Sequence, residues 1–294
     1  MTQDVERAAI ALFDQFTHEG MDRRAFMAEL TRIAGGSAAA SLLLSGIAAG
    51  AAEPQVAATD SRIRTRELDL EVAPGRTYKT YQASPNRRAG NTSVVVVVHE
   101  NRGLNDHIRD VARRLAVAGY GAVAPDFLSL SGGTPADEDR ARTMIGQLDM
   151  AQTVTDGAAM ITLLQSPQRG ARRIGVTGFC WGGAMVHRLA VAAGPALSAA
   201  VSFYGPAPDP AEASRVSAPM LIHLAGRDER VNRTGVPWAE ALRGGGKDVT
   251  LVNHPDVDHA FHNDTSAARY NREAAERAWA QTIDFFGRHL RRTA

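Results

Sequence analysis

The 294-residue sequence contains a single cysteine, Cys180, which excludes an internal disulfide and a metal site built from several cysteines. It also carries almost no net charge, because 33 basic residues stand against 32 acidic ones for a formal charge of +1. This balance excludes the broad basic surface on which nucleic-acid binding depends. Hydrophobic residues make up 44% and charged residues 22% of the chain, which excludes a collagen-like or wholly disordered protein.

The N-terminal region resembles an export signal. The pair Arg23-Arg24 precedes Ala-Phe-Met and an apolar stretch rich in small residues (33–52), with a candidate cleavage site at residues 49–51. This pattern is typical of twin-arginine signals, so we predict export to the periplasm. The stretch holds too much glycine, alanine and serine for a stable membrane span. The alternative is a cytoplasmic protein in which an amphipathic helix over residues 5–16 and a following helical hairpin pack on the body.

Beyond this region, strand and helix patterns alternate. Residues 63–72 and 77–82 alternate polar and apolar side chains around a Pro-Gly turn, which predicts a β-hairpin at a sheet edge. Five consecutive valines at 94–98 indicate a strand buried on both faces. The remaining strands are predicted at residues 121–124, 173–177, 199–204, 220–224 and 248–253. Helices are predicted at residues 106–118, 137–164 with a break near Gly146, 181–193, 236–243 and 267–289.

This alternation defines the predicted architecture. Alternating strands and helices favour an α/β fold, in which helices cover both faces of a mostly parallel sheet. We assign residues 1–61 to the signal-like region and its linker, and residues 62–294 to one domain.

A strand, a sharp turn and a helix meet at Cys180, where the turn reads Gly178-Phe-Cys180-Trp-Gly182. The Gly-x-Cys-x-Gly spacing is that of a nucleophile elbow with cysteine in place of serine. Glycine is needed because the strand and the helix pass so closely that a Cβ atom would collide. The start of the helix also favours a thiolate. Cys180 is therefore the candidate nucleophile, and the alternative is an inert buried thiol.

A nucleophilic cysteine needs a base and a carboxylate that orients the base. In proteins with this type of elbow, the carboxylate and the histidine follow the nucleophile in that order. Asp228 follows one predicted strand and His259 follows the next, so both open at the same sheet edge as Cys180. Glu229 is the alternative carboxylate, and His254 and His262 are the alternative histidines.

The histidine loop also admits a second interpretation, as a metal site. The residues that could serve as ligands are His254, Asp256, Asp258, His259 and His262. Imidazole and carboxylate groups suit zinc or iron, but the loop lacks the i, i+4 spacing of helical metal motifs. We therefore expect no metal and no cofactor.

Four stretches together resemble the dienelactone hydrolase family of α/β-hydrolases, over residues 67–289. They are VHENRGLN at 98–105, APDF at 124–127, GFCWGG at 178–183 and DHAF at 258–261. The resemblance implies an α/β-hydrolase fold and a catalytic triad of Cys180, His259 and Asp228. It also implies an oxyanion hole formed by the backbone N–H groups of Trp181 and Asn101.

The resemblance assigns a further role to Glu100. In the family this glutamate lies beside the nucleophile, holds the resting cysteine as a thiol, and takes its proton when substrate binds. A buried carboxylate suits such proton handling. Considered without the family pattern, Glu100 could equally be a strand-end carboxylate paired with Arg102 or Arg109.

One position departs from the family pattern. Members that open dienelactone hold its carboxylate with arginines, one of them four residues after the catalytic histidine, and here that residue is Asn263. Arg140 and Arg142 are the candidates for the second arginine. The sequence therefore leaves open whether the substrate carries a carboxylate.

The residues together predict an enzyme that hydrolyses a lactone or a small carboxylic ester through a thioester on Cys180. The expected partner is this small-molecule substrate, and the sequence does not indicate an oligomeric state. The alternatives are a thioesterase or a broad carboxylesterase with the same residues, and a non-catalytic protein that binds a partner with a hydrolase fold.

Overall fold

The computed structural model describes residues 2–48, 54–86, 92–165 and 173–291, and its centre is an eight-stranded sheet. The strands are β1 (Ile63–Ala73), β2 (Arg76–Pro85), β3 (Val94–Val98), β4 (Gly121–Pro125), β5 (Ile174–Phe179), β6 (Ala199–Phe203), β7 (Met220–Ala225) and β8 (Val249–His254). Their order across the sheet is β1-β2-β4-β3-β5-β6-β7-β8. The β1–β2 and β2–β4 pairs are antiparallel and the other pairs are parallel, which confirms a mostly parallel sheet with a hairpin at its edge.

The valine strand β3 lies between β4 and β5, and all five of its side chains are buried. Because alternate side chains of a strand point to opposite faces, its valines divide between two cores. Val95 and Val97 pack in one hydrophobic cluster, and Val94, Val96 and Val98 pack in the other. Helices therefore cover the sheet on both faces, as the sequence predicts.

The helices of the body are α4 (Asp106–Val117), α5 (Glu138–Gly146), α6 (Met150–Gln165), α7 (Trp181–Ala192), α8 (Glu229–Gly244) and α9 (Arg272–Leu290). Two of them differ from the sequence prediction. α8 begins seven residues earlier, because Asp228 caps it and the helix continues through Pro237. α9 begins five residues later than predicted, where Asn271 accepts a hydrogen bond from the backbone N–H of Ala274.

Three N-terminal helices pack on one another beside the sheet: α1 (Gln3–His18), α2 (Arg23–Ala34) and α3 (Ser37–Ala48). Their shared core includes Phe16 and Phe26, whose rings stack with centroids 4.3 Å apart. α1 contains the amphipathic helix considered for residues 5–16. The candidate cleavage site at residues 49–51 lies outside the described residues.

None of the described helices is, on its own, long and apolar enough to cross a lipid bilayer. α2 and α3 reach the required length and composition only as a pair, and that pair is bent by 107°.

Candidate active site

Cys180 occupies the sharp turn between β5 and α7, with φ 56° and ψ −115°. Positive φ is strained for a residue with a side chain and is characteristic of functional positions. A Cβ atom on Gly178 would lie 2.4 Å from the carbonyl oxygen of Gly182, and one on Gly182 would lie 2.4 Å from that of Val98. Both positions therefore require glycine. The turn places the sulfur at the start of α7, where free backbone N–H groups favour an anion.

His259 and Asp228 form a hydrogen-bonded pair, with 2.5 Å between Nδ1 of the histidine and Oδ2 of the carboxylate. Asp228 also accepts the backbone N–H of Val231 at 3.1 Å, which fixes its orientation at the start of α8. With Nδ1 bound to Asp228, Nε2 of His259 is left for Cys180, whose sulfur lies within 4.8 Å. Burial lowers the pKa of His259, but Asp228 and Cys180 outweigh it and raise the pKa to about 10. These two neighbours thus make His259 a stronger base than a free imidazole.

The alternative histidines and carboxylate lie elsewhere. Glu229 is exposed on the first turn of α8. Nε2 of His254 lies 3.1 Å from Nδ1 of His223, on the neighbouring strand. His262 stacks on Phe179, with ring centroids 5.1 Å apart. Of these candidates, Asp228 and His259 are the two that meet at Cys180.

The five loop residues considered as a metal site do not converge. Asp256 and Asp258 both face Arg227, at 3.5 Å and 3.6 Å. The side chains of His254 and His262 are buried in contacts with other aromatic rings. This loop therefore does not form a metal site as it is folded here.

Glu100 lies at the end of β3 and lines the same small cavity as Cys180. Asn263 donates a hydrogen bond from its side-chain amide to Glu100 at 2.6 Å, and the Tyr204 hydroxyl lies 3.5 Å from the other carboxylate oxygen. The amide oxygen of Asn263 accepts the backbone N–H of Thr265, which orients the amide group toward the carboxylate. The residue at the family's arginine position therefore holds Glu100.

The two arginines considered as partners of Glu100 bind other carboxylates. Arg102 pairs with Glu138 at 3.0 Å, and Arg109 pairs with Glu67 at 2.5 Å. Glu100 is thus not the strand-end carboxylate of an arginine ion pair.

The two positions considered for the oxyanion hole flank the nucleophile. Trp181 is the first residue of α7, so its backbone N–H has no acceptor one turn earlier in the helix. Asn101 lines the cavity beside Cys180 and donates from its side-chain amide to the carbonyl oxygen of Thr17 at 3.4 Å. Asn101 and the start of α7 thus both border the space beside the Cys180 sulfur.

His18, at the end of α1, also contacts the nucleophile, and the sequence did not predict this contact. Its Nε2 lies 3.1 Å from the sulfur of Cys180, and its ring lies edge-on to that of His259 with centroids 4.6 Å apart. Burial, followed by the charge of His259, lowers the pKa of His18 well below its usual range. The two residues are 162 positions apart in the chain and no motif marks His18. The amphipathic pattern of α1 was the one available signal, and it indicates packing without identifying a partner.

α1 closes the cavity above Cys180. Phe13, Thr17 and His18 form its cover, and the remaining volume is about 20 Å³, which is room for about one water molecule. Arg269, which belongs to the body, holds α1 in this position through an ion pair with Asp14 at 2.8 Å. With α1 in this position, the space beside the sulfur is too small to hold an ester.

A larger groove of about 300 Å³ lies over β1, β2 and β4. It reaches Val94 and Gly121, at the starts of β3 and β4, and so opens on the sheet edge opposite to Cys180. Despite its size, this groove does not contain the residues that make up the candidate active site.

Comparison with known proteins identifies the family of this chain. The model of the "Dienelactone hydrolase family" matches residues 78–290. The "Putative carboxymethylenebutenolidase" of Escherichia coli K12 is 31% identical over 227 residues, covering 72% of this chain and 83% of the relative. The protein of the same name from Methylorubrum extorquens is 30% identical over 256 residues, covering 80% and 85%.

Among solved structures, a "Putative Dienelactone Hydrolase" from Klebsiella pneumoniae superposes with a TM-score of 0.70 at 29% identity. The match covers 77% of this chain and 99% of that one. The family match and these similarities together show that the chain belongs to the dienelactone hydrolase family of α/β-hydrolases, and so to the carboxylic ester hydrolases.

Proposed function

We propose that this protein hydrolyses a lactone or a small carboxylic ester, with Cys180 as the nucleophile. The observation that carries the proposal is the strained turn that presents the Cys180 sulfur to the hydrogen-bonded pair of His259 and Asp228. A nucleophile, a base and a group that orients the base are the parts that covalent acyl transfer needs.

The reaction has two halves. In the first, Glu100 takes the thiol proton as substrate binds, the sulfur attacks the carbonyl carbon, and the resulting oxyanion accepts hydrogen bonds from the N–H groups of Trp181 and Asn101. The intermediate then collapses to a thioester on Cys180, and Glu100 passes the thiol proton to the leaving alkoxide. In the second half, His259 takes a proton from water, the hydroxide attacks the thioester and releases the carboxylic acid, and His259 returns the proton to the sulfur.

Glu100 controls when the thiol loses its proton. Its carboxylate is buried in the same cavity as the sulfur and is held by Asn263. A negative charge there opposes a thiolate, so the sulfur is protected until a substrate changes its surroundings.

The test is to trap the acyl-enzyme. The purified full-length chain is mixed briefly with a nitrophenyl ester, and intact-protein mass spectrometry is combined with peptide mapping. We expect a mass increase equal to the acyl group, located on Cys180 and absent in Cys180→Ala. Acylation of another residue, or hydrolysis by Cys180→Ala at the wild-type rate, would overturn the assignment. A panel of lactones, oxygen esters and thioesters then identifies the preferred substrate by kcat/KM.

We also propose that the protein is exported by its twin-arginine-like N-terminus, with residues 1–61 as the signal-like region and residues 62–294 as the enzyme, so that α1 covers Cys180 only until that region is removed. Arg23 and Arg24 at the start of α2 support this proposal, together with the apolar stretch that follows them.

Cell fractionation of a tagged protein tests the export proposal. Replacing both arginines by lysine should keep the full-length chain in the cytoplasm, whereas the control Arg32→Lys on the same helix should be exported normally. Equal distribution of all three proteins would contradict export by this route.

A further inference from the structure

The small cavity under α1 is surrounded by three metal-binding side chains. They are His18 from α1, Cys180 from the elbow and His259 from the loop after β8, and their donor atoms all lie within 4.8 Å of one another. The cavity of about 20 Å³ is too small for an ester but large enough for a single small ion.

Both imidazoles are oriented by their second nitrogen atoms. Nδ1 of His18 donates to the carbonyl oxygen of Asp14 at 2.8 Å, and Nδ1 of His259 is bound by Asp228 at 2.5 Å. The Nε2 atoms of both rings are therefore directed at the cavity. An oxygen acceptor behind a histidine is the arrangement that orients metal-binding histidines in proteins.

The second imidazole, His259, carries a polar atom that points to a ligand in this cavity. Its Nε2 is buried, and within the described parts of the chain this nitrogen has no hydrogen-bond partner. The residue as a whole is 3% exposed. Buried polar atoms in proteins are almost always satisfied, so a buried nitrogen aimed into a small polar cavity points to a ligand there.

The donor set selects the class of ion. One thiolate and two imidazoles suit a borderline ion such as Zn²⁺, whereas Mg²⁺ and Ca²⁺ prefer oxygen ligands. Tetrahedral zinc has bonds of about 2.0–2.1 Å to nitrogen and about 2.3 Å to sulfur, so its ligand atoms lie about 3.5 Å apart. The 3.1 Å between His18 Nε2 and the Cys180 sulfur is close to that spacing. A water molecule would take the fourth position.

We propose that His18, Cys180 and His259 form a Zn²⁺ site that is complete only when α1 is docked on the body. Binding releases the one proton that Cys180 and His259 share, and it forms one bond from zinc to sulfur and two to nitrogen. The bound ion joins α1 to the catalytic loop, so it holds the cover closed. It also occupies the sulfur electron pair that would attack an ester.

Ion binding and its effect on hydrolysis are separate claims. The binding claim depends on the three side chains alone. The claim that zinc inhibits the enzyme rests on the proposed nucleophilic role of Cys180. An experiment that measures both can therefore identify which of them fails.

The test uses the full-length chain after treatment with a chelator, titrated with Zn²⁺ in competition with a chromogenic indicator. We expect one ion per wild-type chain. His18→Gln removes a direct ligand and should weaken the affinity by roughly 100-fold or more, because even partners one step behind a ligand contribute 10–100-fold. The control His289→Gln removes a histidine that lies on α9, outside the proposed site, and should bind like wild type.

Two further measurements separate ligand loss from misfolding. Co²⁺ in place of Zn²⁺ should give a thiolate-to-metal absorption band in wild type and none in Cys180→Ala. Zn²⁺ should also slow ester hydrolysis, and His18→Gln should need roughly 100-fold more ion for the same fractional inhibition of its own metal-free rate. Wild-type affinity in His18→Gln, or no stoichiometric binding by wild type, would overturn the site. Tight binding by a protein that hydrolyses no ester would leave the site intact and refute the proposed function.

Discussion

The sheet body and the three N-terminal helices are held together by different interactions. In the body, apolar side chains such as the five valines of β3 fill a core on each face of the sheet. The N-terminal helices have their own small core, which meets the body at Ala268. Polar and cation–π contacts also join them to the body, and these include Asp14–Arg269, Arg23–Asp139, His18–Cys180 and Phe16–Arg142.

This difference indicates which part can move. Burying apolar surface contributes about 25 cal/mol per Å², whereas an exposed ion pair such as Arg23–Asp139 contributes about 1 kcal/mol or less. We therefore expect the N-terminal helices to separate from the body at a smaller cost than unfolding the sheet. Because α1 covers Cys180, this separation would also open the active site. The family match, over residues 78–290, lies entirely within the body.

The largest expected effect is a loss of kcat from a substitution in the body that leaves the N-terminal helices unchanged. Asp228→Asn should lower kcat by roughly 10⁴-fold, because an amide favours the wrong tautomer of the catalytic histidine. Glu229→Gln, at the neighbouring exposed carboxylate, is the matched control and should retain wild-type activity. Steady-state kinetics on a nitrophenyl ester provides the measurement. An active Asp228→Asn variant would remove this carboxylate from the catalytic site.

The substitution with the second-largest expected effect lies in the core of the N-terminal helices. Phe16→Ala removes a ring from their core and should destabilise that unit by about 3–5 kcal/mol. We expect earlier proteolysis within residues 2–48, an intact body and faster ester hydrolysis, since the cover opens more often. Leu42 is 71% exposed, so Leu42→Ala is the control and should behave like wild type. If Phe16→Ala instead lowers the melting temperature of the whole chain in one transition, the two regions unfold as one unit.

A third variant tests the charge beside the nucleophile. Glu100→Gln keeps the shape of the side chain and removes its negative charge, so turnover should fall by roughly 100-fold, as expected for a positioned proton acceptor. Alkylation of Cys180 by iodoacetamide should become faster, because the charge that opposes the thiolate is gone. Glu67→Gln, at an exposed carboxylate on β1, is the control. If turnover and alkylation of Glu100→Gln both match wild type, Glu100 has only a structural role.

The smallest effect concerns the pH dependence of the body's stability. Burial, and then the charge of Arg188, lower the pKa of His187 to about 3 from 6.5. The folded state keeps this histidine neutral, so its contribution to stability is complete above pH 6.5 and is lost as the pH falls toward 3. Lowering the pH from 6.5 to 5 should therefore cost about 2 kcal/mol at this residue.

Urea unfolding at these two pH values checks this contribution. His187→Phe cannot bind a proton, so it should lose about 2 kcal/mol less than wild type over the same interval. Equal losses in the two proteins would show that His187 does not contribute to acid sensitivity.

Patterns within short stretches of sequence predicted most of the strands and helices of the body. The valine run of β3 and the glycine spacing around Cys180 are each contained in a few consecutive residues, and each reflects a local constraint of burial or close approach. The edge hairpin of β1 and β2 was predicted for the same reason. The start of α8 was missed because the prediction began at residue 236, whereas the cap at Asp228 begins the helix about two turns earlier and the helix continues through Pro237.

The sequence by itself determined the α/β fold, the elbow at Cys180, and the choice of Asp228 and His259 as its candidate partners, because strand order and loop position place these residues at one sheet edge. Only the tertiary structure brought His18 onto the sulfur, linked Asn263 to Glu100 and paired Asp14 with Arg269. These contacts join residues more than 160 positions apart. Such contacts depend on how separate elements dock, and docking is decided by the summed packing and charge of whole surfaces, which no short motif records.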